Sequence, residues 1–368
     1  MLVKELIKNI EKWAPPGIAW DKDNIGLLIG DSESKVKNIM LSLEVSLNVV
    51  DDAIKKRCNL IITHHPLIFK PLKSISNSET NYEIIKKLIK NQINLYSAHT
   101  NLDFVKDGVS FQLAKKLGLN NIKFLKNLTS NQYKVVVFVP EEHIEKVANA
   151  MHQAGGGIIG EYSNCSFRLE GIGTFKGSAS SNPYIGIKDT LEFVKEVRLE
   201  MIVNSFDLNK VLQAMKNSHP YEEVAYDVYR LSNDNVNFGM GAIGQLNNEM
   251  TTEEFLSLVK KSLSAKGLRY SIGKNDKIKN VAVCGGSGSE LLDEAIRQGA
   301  DAFITADVNY HKFQDALGNI LLIDAGHYET EIPIIDELEK RILNFLNKKK
   351  IKVYKFNGST NPINFFNN

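Results

Sequence analysis

Three places in this 368-residue chain bring imidazole and carboxylate side chains close together. The first is Leu60-Ile-Ile-Thr-His64-His65-Pro66, a short aliphatic run that delivers two adjacent histidines before a proline ends the ladder. The second is His99-Thr-Asn-Leu-Asp103 and the third is His327-Tyr-Glu-Thr-Glu331, each behind an apolar run of its own. Inside a strand, neighbouring side chains point to opposite faces, but past its end the chain turns and both can reach one place. His327 and Glu331, four apart at an expected helix start, share one face. His64, His65, Asp103, His327 and Glu331 suit zinc, iron, manganese or cobalt. Three imidazoles and two carboxylates exceed one tetrahedral catalytic zinc. A carboxylate bridging two divalent ions ~3.5–4 Å apart uses that set naturally.

A single histidine at a strand end is more often a hydrogen-bonded loop residue than a ligand, and His64-His65-Pro66 taken alone is ambiguous. Three such clusters at equivalent strand ends favour the paired-metal site. With Asp103 and Glu331 engaged as ligands, His99 and His311 are the candidates for proton transfer. His99 could equally orient a ligand or pack in the core. His311 follows Asp307 by four and could face the site. Val283-Cys-Gly-Gly-Ser-Gly288 could hold a phosphate on its backbone N–H groups. It lacks the lysine of a P-loop, which leaves a tight strand-to-helix connection as the leading reading.

Short apolar runs alternate with helical patterns, which predicts an α/β fold of layered elements. Strands are expected at 39–45, 60–63, 93–98, 279–284, 302–305 and 320–324. Helices are expected at 47–57, 82–90, 109–117, 252–263, 290–298, around 311–317 and after Thr330. Ligands of open α/β sheets gather beyond the carboxyl ends of strands, where all three clusters fall. Between these two halves the pattern changes. Strands at 133–140, 199–204 and 224–231, helices at 142–153 and 208–217, and a Gly- and Ser-rich stretch of β character at 160–186 read as β-α-β-β-α-β. That order is a split βαβ, or ferredoxin-like, α+β unit. Residues 126–234 are therefore expected as an inserted domain, with 1–125 and 235–368 forming the main layered domain. His143 is expected to face solvent, residues 155–160 to be turns, and 219–223 either a helix-to-strand connection or a small-molecule or subunit contact.

The 45 basic and 43 acidic residues leave a formal charge of +2, so no basic field marks a nucleic-acid binder. The run Lys348, Lys349, Lys350 reads as a solvated helix end facing the dipole. Cys58, Cys165 and Cys284 form no CxxC pair and read as reduced, buried thiols. The first thirteen residues form an amphipathic helix pattern interrupted by charges, unlike a signal peptide. No apolar run approaches the ~20 residues of a membrane span. A cytoplasmic protein is expected.

The segments Thr63-His-His-Pro-Leu-Ile-Phe69, Ser97-Ala-His-Thr-Asn-Leu-Asp103 and Asp324-Ala-Gly-His-Tyr-Glu-Thr-Glu331 resemble the signatures of the GTP cyclohydrolase 1 type 2 homologues, the Nif-three-like proteins. Asn24-Ile-Gly-Leu27 and Gly299-Ala-Asp-Ala-Phe-Ile-Thr305 are similar too. The inserted stretch, through His219-Pro-Tyr-Glu-Glu-Val-Ala225, resembles the CutA/PII-like insertion of the longer members. The resemblance implies that His64 and Asp103 hold one ion, His65 and His327 the other, and Glu331 bridges them. It further implies ring-shaped homo-oligomers, often hexamers, with the sites facing an internal cavity. Two departures stand out: Ala306 where the family commonly has Gly, and Trp20-Asp-Lys-Asp-Asn24 in place of Trp-Asp-Asn. The implied function is a metal-dependent hydrolase that directs water at C8 of GTP or at the phosphorus of a phosphate ester. The alternative is a metal-binding regulatory or scaffold protein whose insert senses a ligand.

Overall fold

The computed structural model describes residues 1–77, 81–347 and 349–366. The chain opens with helix α1 (Val3–Trp13) and strands β1 (Gly26–Ile29) and β2 (Ile39–Ser42). Then come α2 (Leu47–Lys55), β3 (Leu60–Thr63), α3 (Tyr82–Lys90), β4 (Asn94–Ser97), the single turn α4 (Thr100–Asp103), α5 (Val109–Lys116) and β5 (Asn120–Thr129). Next are β6 (Gln132–Pro140), α6 (Ile144–Gln153), β7 (Phe167–Lys176), β8 (Leu191–Asn204), α7 (Leu208–Ser218) and β9 (Tyr226–Leu231). A long strand, β10 (Asp234–Thr251), leads to α8 (Thr252–Leu263), β11 (Arg269–Ser271), β12 (Lys277–Ser287), α9 (Leu292–Arg297), β13 (Ala302–Ala306) and α10 (Tyr310–Ala316). The chain closes with β14 (Leu321–Asp324), α11 (His327–Glu331), α12 (Ile334–Leu346) and β15 (Val353–Lys355).

Two compact units result, one made of Met1–Lys126 and Phe238–Asn368, the other of Asn127–Asn237. The larger unit contains a five-stranded sheet, β1-β4-β3-β2-β15, and a six-stranded sheet, β11-β14-β13-β12-β10-β5. Each has a parallel centre, β2-β3-β4 in one, extended in parallel by β15, and β12-β13-β14 in the other; β1, β10 and β11 pair antiparallel to them. The central strands are buried on both faces, so they read as continuous apolar runs without alternation. Met40, Ile61 and Leu95 pack under Val49, Val50, Ala53 and Leu88 of α2 and α3. In the other sheet Val281, Ile304 and Ile323 pack with Phe111 of α5 and Phe255 and Val259 of α8. Phe303 and Leu322 point to the opposite face, against Leu292 and Ala295 of α9.

Register matters more to the site than layering does. Ser42, Thr63 and Ser97 lie level across β2, β3 and β4, and Thr305 lies level with Asp324 across β13 and β14. The residues just beyond these levels therefore form two short rows, one per sheet.

The smaller unit pairs its strands in the order β7-β8-β6-β9 with element order β-α-β-β-α-β, the arrangement of a split βαβ unit. Its core joins Val135, Val137 and Val139 of β6 to Leu199, Met201 and Val203 of β8 beneath Met151 and Met215. His143 does not face solvent freely: it is half-buried, with Nε2 3.0 Å from the Tyr184 hydroxyl. Gly155, Gly157 and Gly160 all have positive φ, as turn residues do. His219 spans its connection, with Nε2 on the Phe138 carbonyl and Nδ1 accepting from the Tyr221 N–H.

Of the lysine run, Lys348 lies outside the described residues; Lys349 sits over the Phe345 ring at 5.8 Å. All three cysteines are free, but only Cys58 is buried as expected; Cys165 and Cys284 are partly exposed. Among the described residues no helix is long and apolar enough to cross a membrane.

Candidate metal centre

The turn after β3 shows how two consecutive histidines reach one place. The N–H groups of His64 and His65 both donate to the Leu43 carbonyl, at 3.1 and 2.9 Å. The Thr63 hydroxyl donates to the His65 carbonyl at 2.9 Å, closing the turn before Pro66. The strand alternation is broken, and the two imidazoles lie side by side with ring centroids 4.9 Å apart. His99, two residues past β4, brings its ring within 5.2 Å of His64 and 5.3 Å of His65. From the other sheet, His327 at the head of α11 places its ring 5.3 Å from His65. Glu331, one turn along, is 3.1 Å from His327 Nε2, 3.0 Å from His65 Nε2 and 3.7 Å from His64 Nε2. Asp103 Oδ1 is 3.8 Å from His64 Nε2. The five predicted ligands and His99 therefore surround one small space.

Each of the four imidazoles has an oxygen on its Nδ1 side. His64 Nδ1 lies 2.9 Å from the Ala98 carbonyl, which can only accept, so Nδ1 carries the proton and Nε2 carries the lone pair. His65 Nδ1 faces Glu44 Oε1 at 3.1 Å, His99 Nδ1 faces Asp23 at 2.9 Å, and His327 Nδ1 faces Asp307 Oδ2 at 2.6 Å. Carboxylate and carbonyl partners of this kind fix the tautomer and orientation of metal-binding histidines. Here they turn every Nε2 inward.

The electrostatics follow from that geometry. Burial would raise the Glu331 carboxyl, but the surrounding imidazoles override it and hold the group well below the usual carboxylate range. Burial would lower His65, yet Glu331 and Glu44 push it up to about 10; His327, between Glu331 and Asp307, rises to about 9. His64 is fully buried, and its pKa is lowered despite Glu331. Burial and the nearby Glu331 charge push Asp103 well above its ordinary value. Asp23, though burial opposes it, is held at about 2 by His99 and Thr100.

His64 Nε2, Asp103 Oδ1 and Glu331 Oε2 are buried and have no hydrogen-bond partner. Glu331 Oε2 approaches His65 Nε2 at 3.0 Å without the alignment of a hydrogen bond. Three buried lone-pair donors left unpaired would each carry a desolvation cost, and a divalent cation removes it. The donor set thus fits metal ions; His64, His65 and His99 form one cluster able to ligate, and His65, His327 and Glu331 another.

His311 is not brought to this space. The helix it belongs to begins at Tyr310, with Asn309 as its N-cap, and Asp307 lies outside it in the left-handed region at φ 53°. A four-residue spacing puts two side chains on one face only within a helix. His311 is exposed, and its Nδ1 lies 3.3 Å from Gln314 Oε1.

The glycine-rich turn after β12 is a packing device. Gly285, Gly286 and Gly288 donate their N–H groups to Ser110, Thr330 and Thr305 hydroxyls, at 3.3, 3.0 and 2.9 Å. Those groups are committed, so they do not form a phosphate cradle. Gly286 has φ +65°, and a Cβ there would lie 2.2 Å from Glu331 Oε1 and 3.2 Å from His327 Nε2. Gly286→Ala is expected to cost about 1–2 kcal/mol for the left-handed backbone alone and to lower metal content by displacing Glu331. A denaturant melt and elemental analysis check both; unchanged metal content would contradict the second.

Glu44, Asp23 and Asp307 were not among the expected site residues. Glu44 stands two residues past β2 and Asp307 one residue past β13, close to the level of the histidine-bearing turns. Asp23 precedes β1, whose antiparallel pairing with β4 sets Gly26 opposite Ser97 and so brings the loop to His99. Strand-end logic would have found Glu44 had the strand been ended at Ser42.

A family model described as Duf34/NIF3 (NGG1p interacting factor 3) matches residues 1–362. A protein of Halalkalibacterium halodurans named GTP cyclohydrolase 1 type 2 homolog is 41% identical over 365 residues, 98% of each chain. Its namesake in Bacillus subtilis is 39% identical over 366 residues, again 98% of each. Among solved structures, a Bacillus cereus protein related to NIF3 superposes with TM-score 0.84 at 40% identity, covering 100% of this chain and 99% of that one.

Proposed function

This chain belongs to the Duf34/NIF3 family, and from that premise we propose that it is a dinuclear metal-dependent hydrolase acting on a nucleotide or phosphoester. One observation carries the reading: imidazoles anchored through Nδ1 present their Nε2 atoms, with two carboxylates, to a single space. In this reading His64 and Asp103 hold one cation, His65 and His327 the second, and Glu331 bridges them. Bound divalent cations would supply Lewis acidity, polarising the scissile bond and acidifying water.

The chain's own residues supply positioning and proton transfer. His99 Nδ1 is engaged by the ionised Asp23, which leaves Nε2 free to take a proton inside the site. Thr100 donates to Asp23 through its backbone N–H at 3.0 Å and through its hydroxyl, so the carboxylate that orients His99 is itself fixed. The relatives' name makes GTP the first substrate to try. The sheet order of the smaller unit supports a CutA/PII-like assignment for residues 126–234. A cytoplasmic homo-oligomer, a hexamer by family resemblance, completes the proposal.

The test is turnover by purified, metal-loaded protein on GTP, other nucleotides and phosphoesters, with elemental analysis of the same sample. Turnover of at least one class is expected, and His99→Ala should lower kcat by about 10²–10⁴-fold while two ions per chain remain. Inactivity across the panel with both ions bound would favour a regulatory or scaffold role instead.

A further inference from the structure

The carboxylate that orients His65 is itself held, and the group that holds it comes from the far end of the chain. Glu44 offers Oε1 to His65 Nδ1 at 3.1 Å, while its other oxygen, Oε2, accepts a hydrogen bond from the Thr360 hydroxyl. Thr360 lies in the segment after β15. Its neighbour Asn361 donates through Nδ2 to Glu329 Oε1 at 2.9 Å, on the helix that carries His327 and Glu331. Asn361 also donates its backbone N–H to Ser359 Oγ at 3.2 Å and accepts from the Ile363 N–H at 3.0 Å, which keeps the segment turned toward the centre. The same few residues therefore touch the histidine-orienting acid of one sheet and the ligand helix beside the other.

Glu44 bonded to His65 alone would keep freedom about its terminal torsions and could swing away, because its side chain is only partly buried. A second, charge-assisted bond removes that freedom. We infer that Thr360 is a positioning residue of the metal centre, its hydroxyl holding Glu44 in the orientation that fixes His65 for a divalent cation. The inference rests on the metal-binding reading proposed above. In it the C-terminal segment completes the centre, and Asn361 fixes the segment against α11.

Full-length protein, Thr360→Val and Thr360→Ser are each titrated with zinc against a chelator of known affinity. Each is also loaded with Co(II) for its visible absorption spectrum. Valine keeps the shape and removes the donor, so apparent zinc affinity should fall on the order of ten-fold and the Co(II) bands should shift. Serine restores the hydroxyl and should restore both readouts. Parent-like zinc affinity and Co(II) bands in Thr360→Val, whatever its melting temperature, would overturn the inference and reduce Thr360 to a tail anchor. A parent protein that takes up no cation would overturn the metal reading itself, and this inference with it.

Discussion

Replacing Glu331 by alanine is expected to abolish two-ion binding and to lower turnover of any substrate by about three orders of magnitude. The carboxylate lies between His65, His327 and His64 at 3.0, 3.1 and 3.7 Å, and is 4% exposed. It belongs to one cluster able to ligate, with His65 and His327, and approaches His64 of the other, which is the position the proposed bridge requires. Losing a bridging ligand removes ~4 kcal/mol of charge stabilisation in the transition state, the size typical of metal-assisted steps. Elemental analysis and steady-state kinetics on one preparation test this directly. Glu331→Gln keeps the volume and removes the charge, and should behave like the alanine variant. Two ions retained by Glu331→Ala would sink the bridging assignment.

The second large effect is on pH. In the metal-free protein His65 and His327 hold their protons up to about 10 and about 9, since Glu331, Glu44 and Asp307 override the opposing effect of burial. A cation must displace a proton from each ring. Apparent metal affinity should therefore rise with pH between about 7 and 9, approaching a hundred-fold per pH unit while both protons are released. Stability of the metal-free protein should run the other way. Both histidines have folded-state values above the unfolded value near 6.5, so their contribution is complete below about pH 6.5 and is lost as pH climbs through 9 and 10. The loss is a few kcal/mol at most, because both imidazoles share Glu331. Calorimetry on chelator-treated and zinc-loaded samples reads the two trends. A metal-free melting temperature that stays flat from pH 6.5 to 10 would show that the imidazoles are not paired with carboxylates as described.

Sequence patterns located elements well where a local signal was strong. Helix α8 carries a capping box from Thr251 to Glu254, and its expected span of 252–263 matches. Strand β3, four buried aliphatic and β-branched residues, ends where Pro66 required. The misses have local causes. Residues 39–45 read as one strand because all but Ser42 and Glu44 are apolar, yet the strand stops at Ser42 and Glu44 turns to His65. Strand β5 is rich in Lys and Asn, and β10 carries Gly239, Gly241 and Gly244; neither has strand-like composition. Gly239 and Gly244 pack so closely on Phe124 and the Asn120 carbonyl that only glycine fits, which a sequence pattern cannot reveal.

Residue type and spacing were enough to name the five side chains that the fold gathers around one space. An adjacent histidine pair before a proline, an i to i+4 pair opening a helix, and an acid behind a third strand are all short-range features. Turn geometry and helical periodicity act on them directly. What brings His64 and Glu331 to 3.7 Å is the level register within two separate parallel blocks and the packing of α11 on β12, β13 and α5. That depends on side chains hundreds of residues apart, and the partner of each Nδ1, 20 to 76 residues away, likewise comes from a different element. Tertiary structure also turned His311 outward, because its helix begins after Asp307, and it used the glycine turn for close packing against Glu331. Local sequence carries period, caps and breaks; which oxygen meets which nitrogen is set by strand register and core packing, and those exist only in the folded chain.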